Sequence, residues 1–330
     1  MSTRLGVALL FGLVACVDAP STIDTVTVTV PRGATLRAVA ESLASQDVVE
    51  SASLFRFYAT LKGQGRAVQA GTYDVPRNAS IGTVLSILVA GRPAERRLTI
   101  AEGLTLVEIG GAIEAQLGIP AESVLAAARD DSLGRVLRVR GATLEGYLYP
   151  SSYLVPVGAS ARDVVRQMVV EFQRRWNPAW DARLKALGLS PDELVTLASI
   201  IEGEVRYPPD RRYVSSVYHN RLALGMRLQA DPTVIYALGR RRRLFERDYQ
   251  TRSPYNTYRI DGLPPGPIGS PSDKSLEAAI YPARSPFLYF VARPDGKHVF
   301  SRTYAEHLRT IREVRSAPPA RREPTEASRR

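Results

Sequence analysis

Residues Ser190 to Arg206 read SPDELVTLASIIEGEVR, and this stretch carries the signals of a helix from its first turn to its last. Ser190 and Glu193 have the spacing of a capping box, in which each side chain bonds to the other's backbone, and Pro191 stands at the first helical position. Apolar residues follow at helical spacing and form one stripe: Leu194, Leu197, Ala198, Ile201 and Val205. We therefore predict a helix that begins at Pro191 and buries this stripe.

Two acids, Glu202 and Glu204, flank the stripe near the end of the helix. A carboxyl group half-buried against aliphatic side chains has a raised pKa, because burial disfavours its charged form, and the helix dipole acts in the same direction. Such a group can serve as a general acid near neutral pH. The residues alone do not decide between the two acids, and an ordinary amphipathic helix with surface glutamates fits the same periodicity.

Three earlier segments, beginning at Val30, Val75 and Ile100, share one pattern. Each has a β-branched residue that ends a strand, then a turn residue, then a Thr or Ser at the N-cap position of an apolar-periodic helix. The turn residues are Gly33, Asn78 and Gly103, and the N-caps are Thr35, Ser80 and Thr105. A strand is also predicted over 25–30 and a helix over 54–61.

These signals predict an α+β fold in which a small module, 24–95, precedes a larger mixed α/β domain, 96–312. The small module resembles a LysM-like domain, a fold that commonly binds N-acetylglucosamine polymers, and a structural spacer is the alternative. Residues 313–330 are rich in Pro, Arg and Glu without apolar periodicity, and they are expected to form a disordered basic tail.

The N-terminus is expected to be an export signal over residues 1–15. Arg4 precedes an apolar run, Leu5 to Ala15, which is shorter than the roughly 20 residues that span a bilayer. Leu13 to Cys16 resembles a bacterial lipobox, so Cys16 is the predicted lipidation site and 16–23 a tether to the membrane. A plain signal peptide and a short uncleaved anchor are the alternatives.

Composition narrows the choice of partners. The 330-residue chain has a net charge of +11, which favours an anionic partner or a solvated basic surface. No zinc-finger, helix-turn-helix or aromatic RNA-binding motif accompanies the charge, so no nucleic-acid partner is expected. A single cysteine and three separated histidines form no metal-binding motif, and no metal or cofactor is expected.

Six further segments indicate what the chain does. Together with ASIIEGE (198–204) they resemble the endolytic murein transglycosylases, the YceG-like family. In chain order they are LEGYLYP (144–150), NRL (220–222), MRLQADPTVIY (226–236), YNTY (255–258), GLPPGPI (262–268) and YFVA (289–292). Several motifs in one order make a far more specific signal than one short pattern.

The resemblance places the family's catalytic glutamate on Glu204. It also implies that some segments line the substrate cleft, with candidate residues Gln229, Asp231, Tyr255 and Asn256 and weaker candidates Glu145 and Tyr147. Each has a structural alternative: Asp231 with Pro232 could form a turn, Asn256 could be a cap, and the segment around Glu145 could close the core.

The resemblance implies a lyase that cleaves the β-1,4 bond between N-acetylmuramic acid and N-acetylglucosamine and leaves 1,6-anhydromuramyl ends. Its expected partners are peptidoglycan strands, whose elongation it would end, the membrane through the N-terminus, and peptidoglycan synthases. It is expected to face the periplasm or extracytoplasmic side. The rival hypotheses are a hydrolase with Glu204 as acid and Asp231 as base, and a non-catalytic peptidoglycan-binding lipoprotein.

The chain departs from the family pattern at two places. A lipobox stands where family members usually carry a transmembrane helix, which leaves the identity of the membrane open. Gly203 stands where many relatives have a charged residue, and this difference is expected to matter little.

Overall fold

The computed structural model describes residues 24–136 and 143–316. These residues form two compact units, 24–95 with 156–158 and 96–155 with 159–316. The predictions for the export signal, Cys16 and the tether lie outside the described residues, as does most of the predicted tail. No helix within the described ranges is long and apolar enough to cross a membrane.

The first unit contains two strands and three helices: β1 (Thr25–Val30), α1 (Leu36–Ser45), α2 (Ala52–Leu61), β2 (Gly71–Pro76) and α3 (Ile81–Ala90). β1 and β2 pair antiparallel, with Thr25 opposite Pro76 and Val30 opposite Gly71. The predicted strand is confirmed residue for residue, and the predicted second helix begins slightly earlier, at Ala52. Buried side chains from all five elements make the core, among them Val28, Leu43, Phe55, Tyr73 and Leu88.

The predicted helix starts are confirmed in both units. The side chains of Thr35, Ser80 and Thr105 accept hydrogen bonds from backbone N–H groups three residues on, and Thr105 forms a full capping box. Gly33 and Gly103 adopt positive φ angles of 79° and 72°, which a residue without a Cβ reaches at no steric cost.

The second unit is mostly helical, with two two-stranded ribbons. The expectation of a mixed α/β domain is therefore corrected to an α+β arrangement: among the described residues each of its short strands pairs with a single neighbour, and no layered sheet forms. Its elements are β3 (Glu95–Thr99), α4 (Leu106–Leu117), α5 (Ala121–Ala128), α6 (Asp131–Val136), β4 (Ser152–Pro156), α7 (Ala161–Arg175), α8 (Trp180–Leu187), α9 (Pro191–Glu204), α10 (Arg211–Ala223), α11 (Asp231–Ala237), α12 (Asp273–Ile280), β5 (Tyr289–Ala292), β6 (His298–Ser301) and α13 (Tyr304–Ser316).

Helix α9 lies at the centre of the second unit. Its capping box and its proline at the helix start are confirmed. The expectation of a single apolar stripe was wrong. Every residue from Leu194 to Ile201 is buried, because α8, α10, α11 and α12 all pack against this helix. Its polar residues are satisfied internally: Thr196 donates to the Asp192 carbonyl at 2.8 Å, and Ser199 donates to the Thr196 carbonyl at 2.7 Å. The helix is thus a rigid support for the two acids at its end.

Candidate active site at the end of the central helix

The two acids at the end of α9 have opposite environments. Glu202 accepts hydrogen bonds from Arg211 at 3.0 Å, from the Ser272 backbone at 3.0 Å, and from the Ser272 hydroxyl. Burial acts to raise the pKa of Glu202, but hydrogen bonds from Ser272 and Ser275 and the charge of Arg211 outweigh burial and lower it. Glu202 is therefore a charged structural anchor between α9, α10 and α12.

Glu204, by contrast, is partly buried and receives no hydrogen bond from any described residue. The pKa of Glu204 is raised to about 8: burial is the largest cause, the negative charge of Asp231 acts in the same direction, and the positive charge of Arg221 opposes both. Because the carboxyl is protonated at neutral pH and its oxygens are not held by the protein, it can donate a proton to a ligand. The environments of the two acids therefore favour Glu204 over Glu202 as a proton donor.

Asp231, the first residue of α11, forms a charged cluster with Glu204 and Arg221. It accepts a hydrogen bond from the Tyr258 hydroxyl at 2.7 Å and also bonds to Tyr249. The rings of Tyr249 and Tyr258 lie 4.6 Å apart, so the two tyrosines hold Asp231 as a pair. Asp231 is thus an oriented acceptor at the helix start, where the dipole favours negative charge.

Tyr218 on α10 is a member of the cluster that sequence reasoning missed. Its side chain is 1% exposed and packs edge-on against Phe290, with ring centroids 5.8 Å apart. Its hydroxyl has no hydrogen-bond partner among the described residues, and it lies within electrostatic range of Glu204 and Asp231. The sequence offered one signal for this residue: a tyrosine hydroxyl on an otherwise buried helix face, two residues before the NRL segment.

Arg221, one turn beyond Tyr218, contributes charge to the site, and backbone carbonyls hold its Nε and Nη1 groups. Its guanidinium donates to the carbonyls of Leu288 and Leu228 at 2.7 Å each. These bonds fix the cation near Glu204, while Tyr218 retains a hydroxyl that is free to donate.

Gln229 differs from the other candidates because its backbone, rather than its side chain, is held. Its φ angle is 50°, in the left-handed region that non-glycine residues rarely adopt. Its backbone N–H donates to the Thr257 carbonyl at 3.1 Å, and its side chain is exposed. Strained residues of this kind cluster at functional sites, and this one immediately precedes the α11 start.

Glu145, Tyr236 and Tyr255 form a second polar group. Glu145 accepts hydrogen bonds from the Leu106 backbone at 2.9 Å and from the Tyr236 hydroxyl at 3.1 Å. The rings of Tyr236 and Tyr255 lie 4.8 Å apart, and their hydroxyls interact. Burial raises the pKa of Glu145 to about 7, although its hydrogen bonds oppose the rise. The group ties the start of α4 to α11, the helix that begins with Asp231.

Asn256 and Tyr147 point into the protein. The Asn256 amide is fully buried and donates to the carbonyls of Tyr249 and Thr251 at 3.0 and 2.9 Å. It thereby shapes the loop that carries the tyrosine partners of Asp231. Tyr147 is 5% exposed, and its hydroxyl donates to Asp192. Both side chains occupy the structural positions that the sequence left open as alternatives.

A surface cavity of about 370 Å³ opens beside Asp231, and its lining includes both tyrosine partners of that residue. The lining residues are Arg227, Tyr249, Gln250, Tyr258 and Arg259. Aromatic faces with hydroxyl tips suit sugar rings, and guanidinium groups suit carboxylates. The described residues contain no group of three or more His, Cys, Asp or Glu placed to hold a metal ion.

Gly203, between the two acids, packs against Pro232. A Cβ atom built on Gly203 would lie 2.8 Å from Pro232 Cβ, a distance at which one of the two segments must move. The expectation that this position matters little is therefore corrected for this chain: the missing side chain lets α11 approach the end of α9.

The chain is similar to known proteins over most of its length. The model of the YceG-like family matches residues 28–313. The chain is 32% identical over 300 residues to the endolytic murein transglycosylase of Bacillus subtilis, covering 86% of this chain and 83% of that protein. It is 30% identical over 321 residues to the endolytic murein transglycosylase of Streptococcus pneumoniae serotype 2, covering 87% of this chain and 58% of that longer protein.

A crystal structure of a YceG-like protein from Listeria monocytogenes is also similar, with a TM-score of 0.60 and 33% identity. The similarity covers 86% of this chain and 98% of that one. The chain belongs to the YceG-like family.

Proposed function

We propose that this protein is an endolytic peptidoglycan lytic transglycosylase in which Glu204 acts first as general acid and then as general base. The observation that carries the proposal is the state of Glu204: a carboxyl with a pKa of about 8, free of hydrogen bonds from described residues, at the partly exposed end of a buried helix. The names of the relatives supply the substrate class.

In the first step, Glu204 gives its proton to the oxygen between N-acetylmuramic acid and N-acetylglucosamine. The bond from the muramic C1 to that oxygen breaks as oxocarbenium character develops at C1. The N-acetylglucosamine side leaves with a new hydroxyl, and Glu204 is left as a carboxylate. The charge of Arg221 and the hydroxyl of Tyr218 favour that charged state.

In the second step, the Glu204 carboxylate takes the proton from the muramic C6 hydroxyl, whose oxygen attacks C1 and forms the 1,6-anhydro ring. The carboxyl is restored, so one residue serves both steps and no water enters the product. The attacking group belongs to the same sugar, and intramolecular attack has a large entropic advantage.

A hydrolase with Asp231 as base is the competing enzyme. The hydrogen bonds from Tyr258 and Tyr249 occupy acceptor positions of Asp231, which favours a role in raising the pKa of Glu204 over activation of a water molecule. Mass spectrometry of glycan strands digested by the purified chain separates the hypotheses. Anhydro ends support the proposal, reducing ends one water heavier support the hydrolase, and intact strands support a non-catalytic binder.

The first unit is proposed to bind glycan, as a LysM-like module would. A groove of about 580 Å³ lies between its β1–α1 and α2–β2 connections, lined by residues that include Thr35, Leu36, Thr60 and Arg66. Thr60→Arg in a Glu204→Gln chain should weaken binding to insoluble peptidoglycan at least severalfold. Ser53→Arg, on the same helix but outside the groove, is the matched control, and equal binding by both variants would favour the spacer hypothesis.

We further propose that the chain is anchored to a membrane on its extracytoplasmic side through Cys16, and that it limits strand elongation beside peptidoglycan synthases. Cleavage within nascent strands, measured as a shorter strand-length distribution when the protein is added to a synthase reaction, tests the second part.

A further inference from the structure

The exposed apolar side chains of the first unit are concentrated on one helix. Its large hydrophobic residues with high exposure, within 24–95, are Leu54 at 48%, Phe57 at 66% and Leu61 at 70%. All three lie on α2 at spacings of three and four residues, so they project from one face. The opposite face of the helix, with Phe55 and Ala59, enters the core. We call Leu54, Phe57 and Leu61 the α2 apolar face.

The charged residues of α2 and of its connection to β2 are all basic. Residues 52–73 contain Arg56, Lys62 and Arg66 and no acidic residue. The ion pairs found within the described part of the unit join Arg37 to Glu41 and Arg77 to Asp24, so these cations remain available to anionic groups. The Lys62 ammonium lies 5.7 Å from the ring centroid of Tyr58, which is on α2.

The geometry points to an anionic bilayer surface as the occupant of the α2 apolar face. Apolar side chains on one side of a helix with basic residues around them are the pattern of segments that lie in the membrane interface. Lysine and arginine side chains near such a segment reach the headgroups while their stems stay on apolar surface. Three apolar side chains exposed to water lack the stabilisation that they would gain from burial in the membrane interface.

The position of the unit in the chain supports the same occupant, and this step depends on the proposed membrane attachment at Cys16. Seven residues lie between Cys16 and Asp24, and the eight steps that join the two can extend at most about 29 Å. A compact unit of this size has a diameter of about 25–30 Å. A unit held this closely meets the bilayer at high effective concentration, so a weakly binding face is sufficient for docking.

A cysteine-free background separates surface docking from acylation. Cys16→Ser removes the chain's one cysteine and with it the acylation site. In the full-length chain, Ser53→Cys then places an environment-sensitive fluorophore beside the α2 apolar face, and Ser123→Cys, exposed on α5, is the matched control. The label at position 53 should shift to the blue with phosphatidylethanolamine–phosphatidylglycerol vesicles and be quenched by brominated lipid. The label at position 123 should do neither, and added salt should weaken the shift.

Replacing Leu54, Phe57 and Leu61 together with Gln should abolish the shift at position 53. The matched triple replacement of Val107, Leu154 and Leu224, which are exposed in the second unit, should leave it intact. An unshifted label at position 53 would overturn the inference, as would a shift that survives the α2 replacement. A concentration-dependent shift without vesicles would assign the face to a second copy of the chain instead. None of these outcomes depends on catalysis or acylation.

Discussion

Glu202 and Arg211 form an ion pair at 3.0 Å in which their side chains are only 9% and 10% exposed. The pair fixes the last turn of α9 to α10, and Ser272 and Ser275 attach it to α12. Two residues later, Glu204 has no such partner among the described residues. We therefore expect these two acids on one helix to have separate tasks: Glu202 holds the site together, and Glu204 carries a proton in the proposed mechanism.

The first prediction separates these tasks by mutation. Glu204→Gln should reduce cleavage about 10²- to 10⁴-fold, because the amide keeps the shape of the side chain but cannot carry a proton. Its melting temperature at pH 8 should be equal or higher, since a carboxyl with a raised pKa costs stability when it ionises. Rates measured on peptidoglycan, with circular dichroism as the folding check, test both effects.

Glu202→Gln is the paired variant, and it should show the opposite profile. Removing one partner of a buried ion pair typically costs about 3–5 kcal/mol, and the retained hydrogen bond places this change near the lower end. Activity per folded molecule should stay within a few-fold of wild type. If Glu202→Gln were stable but inactive and Glu204→Gln active, the two roles would be exchanged.

The second prediction concerns pH. As a general acid Glu204 must be protonated, so kcat/KM should fall as pH rises through about 8. Tyr218→Phe removes one hydroxyl and retains the ring against Phe290. Without that donor the carboxylate is less stable, so the alkaline limb should move to higher pH while kcat falls about tenfold. An unchanged limb in a folded variant would show that the hydroxyl does not act on Glu204.

The third prediction uses the buried acid Glu145. Its pKa is raised to about 7 in the folded protein and is lower in the unfolded chain, so the stability it contributes is lost as pH rises through about 7. Glu145→Gln should reduce this loss, seen as a smaller fall in melting temperature between pH 5.5 and 8.5. Glu145→Ala should cost about 1–3 kcal/mol, because it leaves the Leu106 N–H without its acceptor. Exposed Glu122→Gln is the control.

The fourth prediction tests the contact between α9 and α11. Gly203→Ala should destabilise the protein by about 1–3 kcal/mol from overpacking, offset by up to about 1 kcal/mol of helix propensity. It should also lower activity, since Pro232 must move and Asp231 moves with it. Gly111→Ala on α4, where an added Cβ meets nothing within 4 Å, should be neutral or stabilising. Equal effects of the two changes would show that the contact is easily accommodated.

The fifth prediction concerns Cys16. Cys16→Ser should leave the chain unprocessed or release it from the membrane, because Leu5 to Ala15 is about half the length that spans a hydrocarbon core. Intact-mass measurement of the native protein after membrane fractionation is decisive. An intact membrane-bound chain that retains residues 1–15 would identify a short anchor in place of a lipid.

Local features of the fold were predictable because their causes lie within a few residues. The capping box at Ser190 and the caps at Thr35, Ser80 and Thr105 each use a side chain and a backbone group three positions apart. The burial of every α9 residue from Leu194 to Ile201 was not predictable, because it depends on four helices packing around them. The mostly helical character of the second unit depends on which short strands pair.

The candidate site likewise has some residues that were predictable from the sequence and others that depend on tertiary contacts. The motif resemblance gave Glu204 and Asp231, but the ion pair between Glu202 and Arg211 joins adjacent helices, and its serine partners lie some 60 residues further along the chain. Tyr218 had no motif of its own, since an unpaired hydroxyl is a property of the packed structure. The physical argument for Glu204 as the proposed catalytic acid therefore depends on the tertiary environment of both glutamates.

The three residues 156–158 belong to the first unit although the chain has by then run through 60 residues of the second. Val157 donates to the Ala94 carbonyl at 2.8 Å, so this late segment completes hydrogen bonding at the end of the small unit. A truncated gene product that stops after Glu95 lacks that closing segment. In the export that we propose, with the N-terminus leading, the first unit would emerge before residues 156–158, and the Ala94 carbonyl would lack its hydrogen-bond donor until Val157 follows.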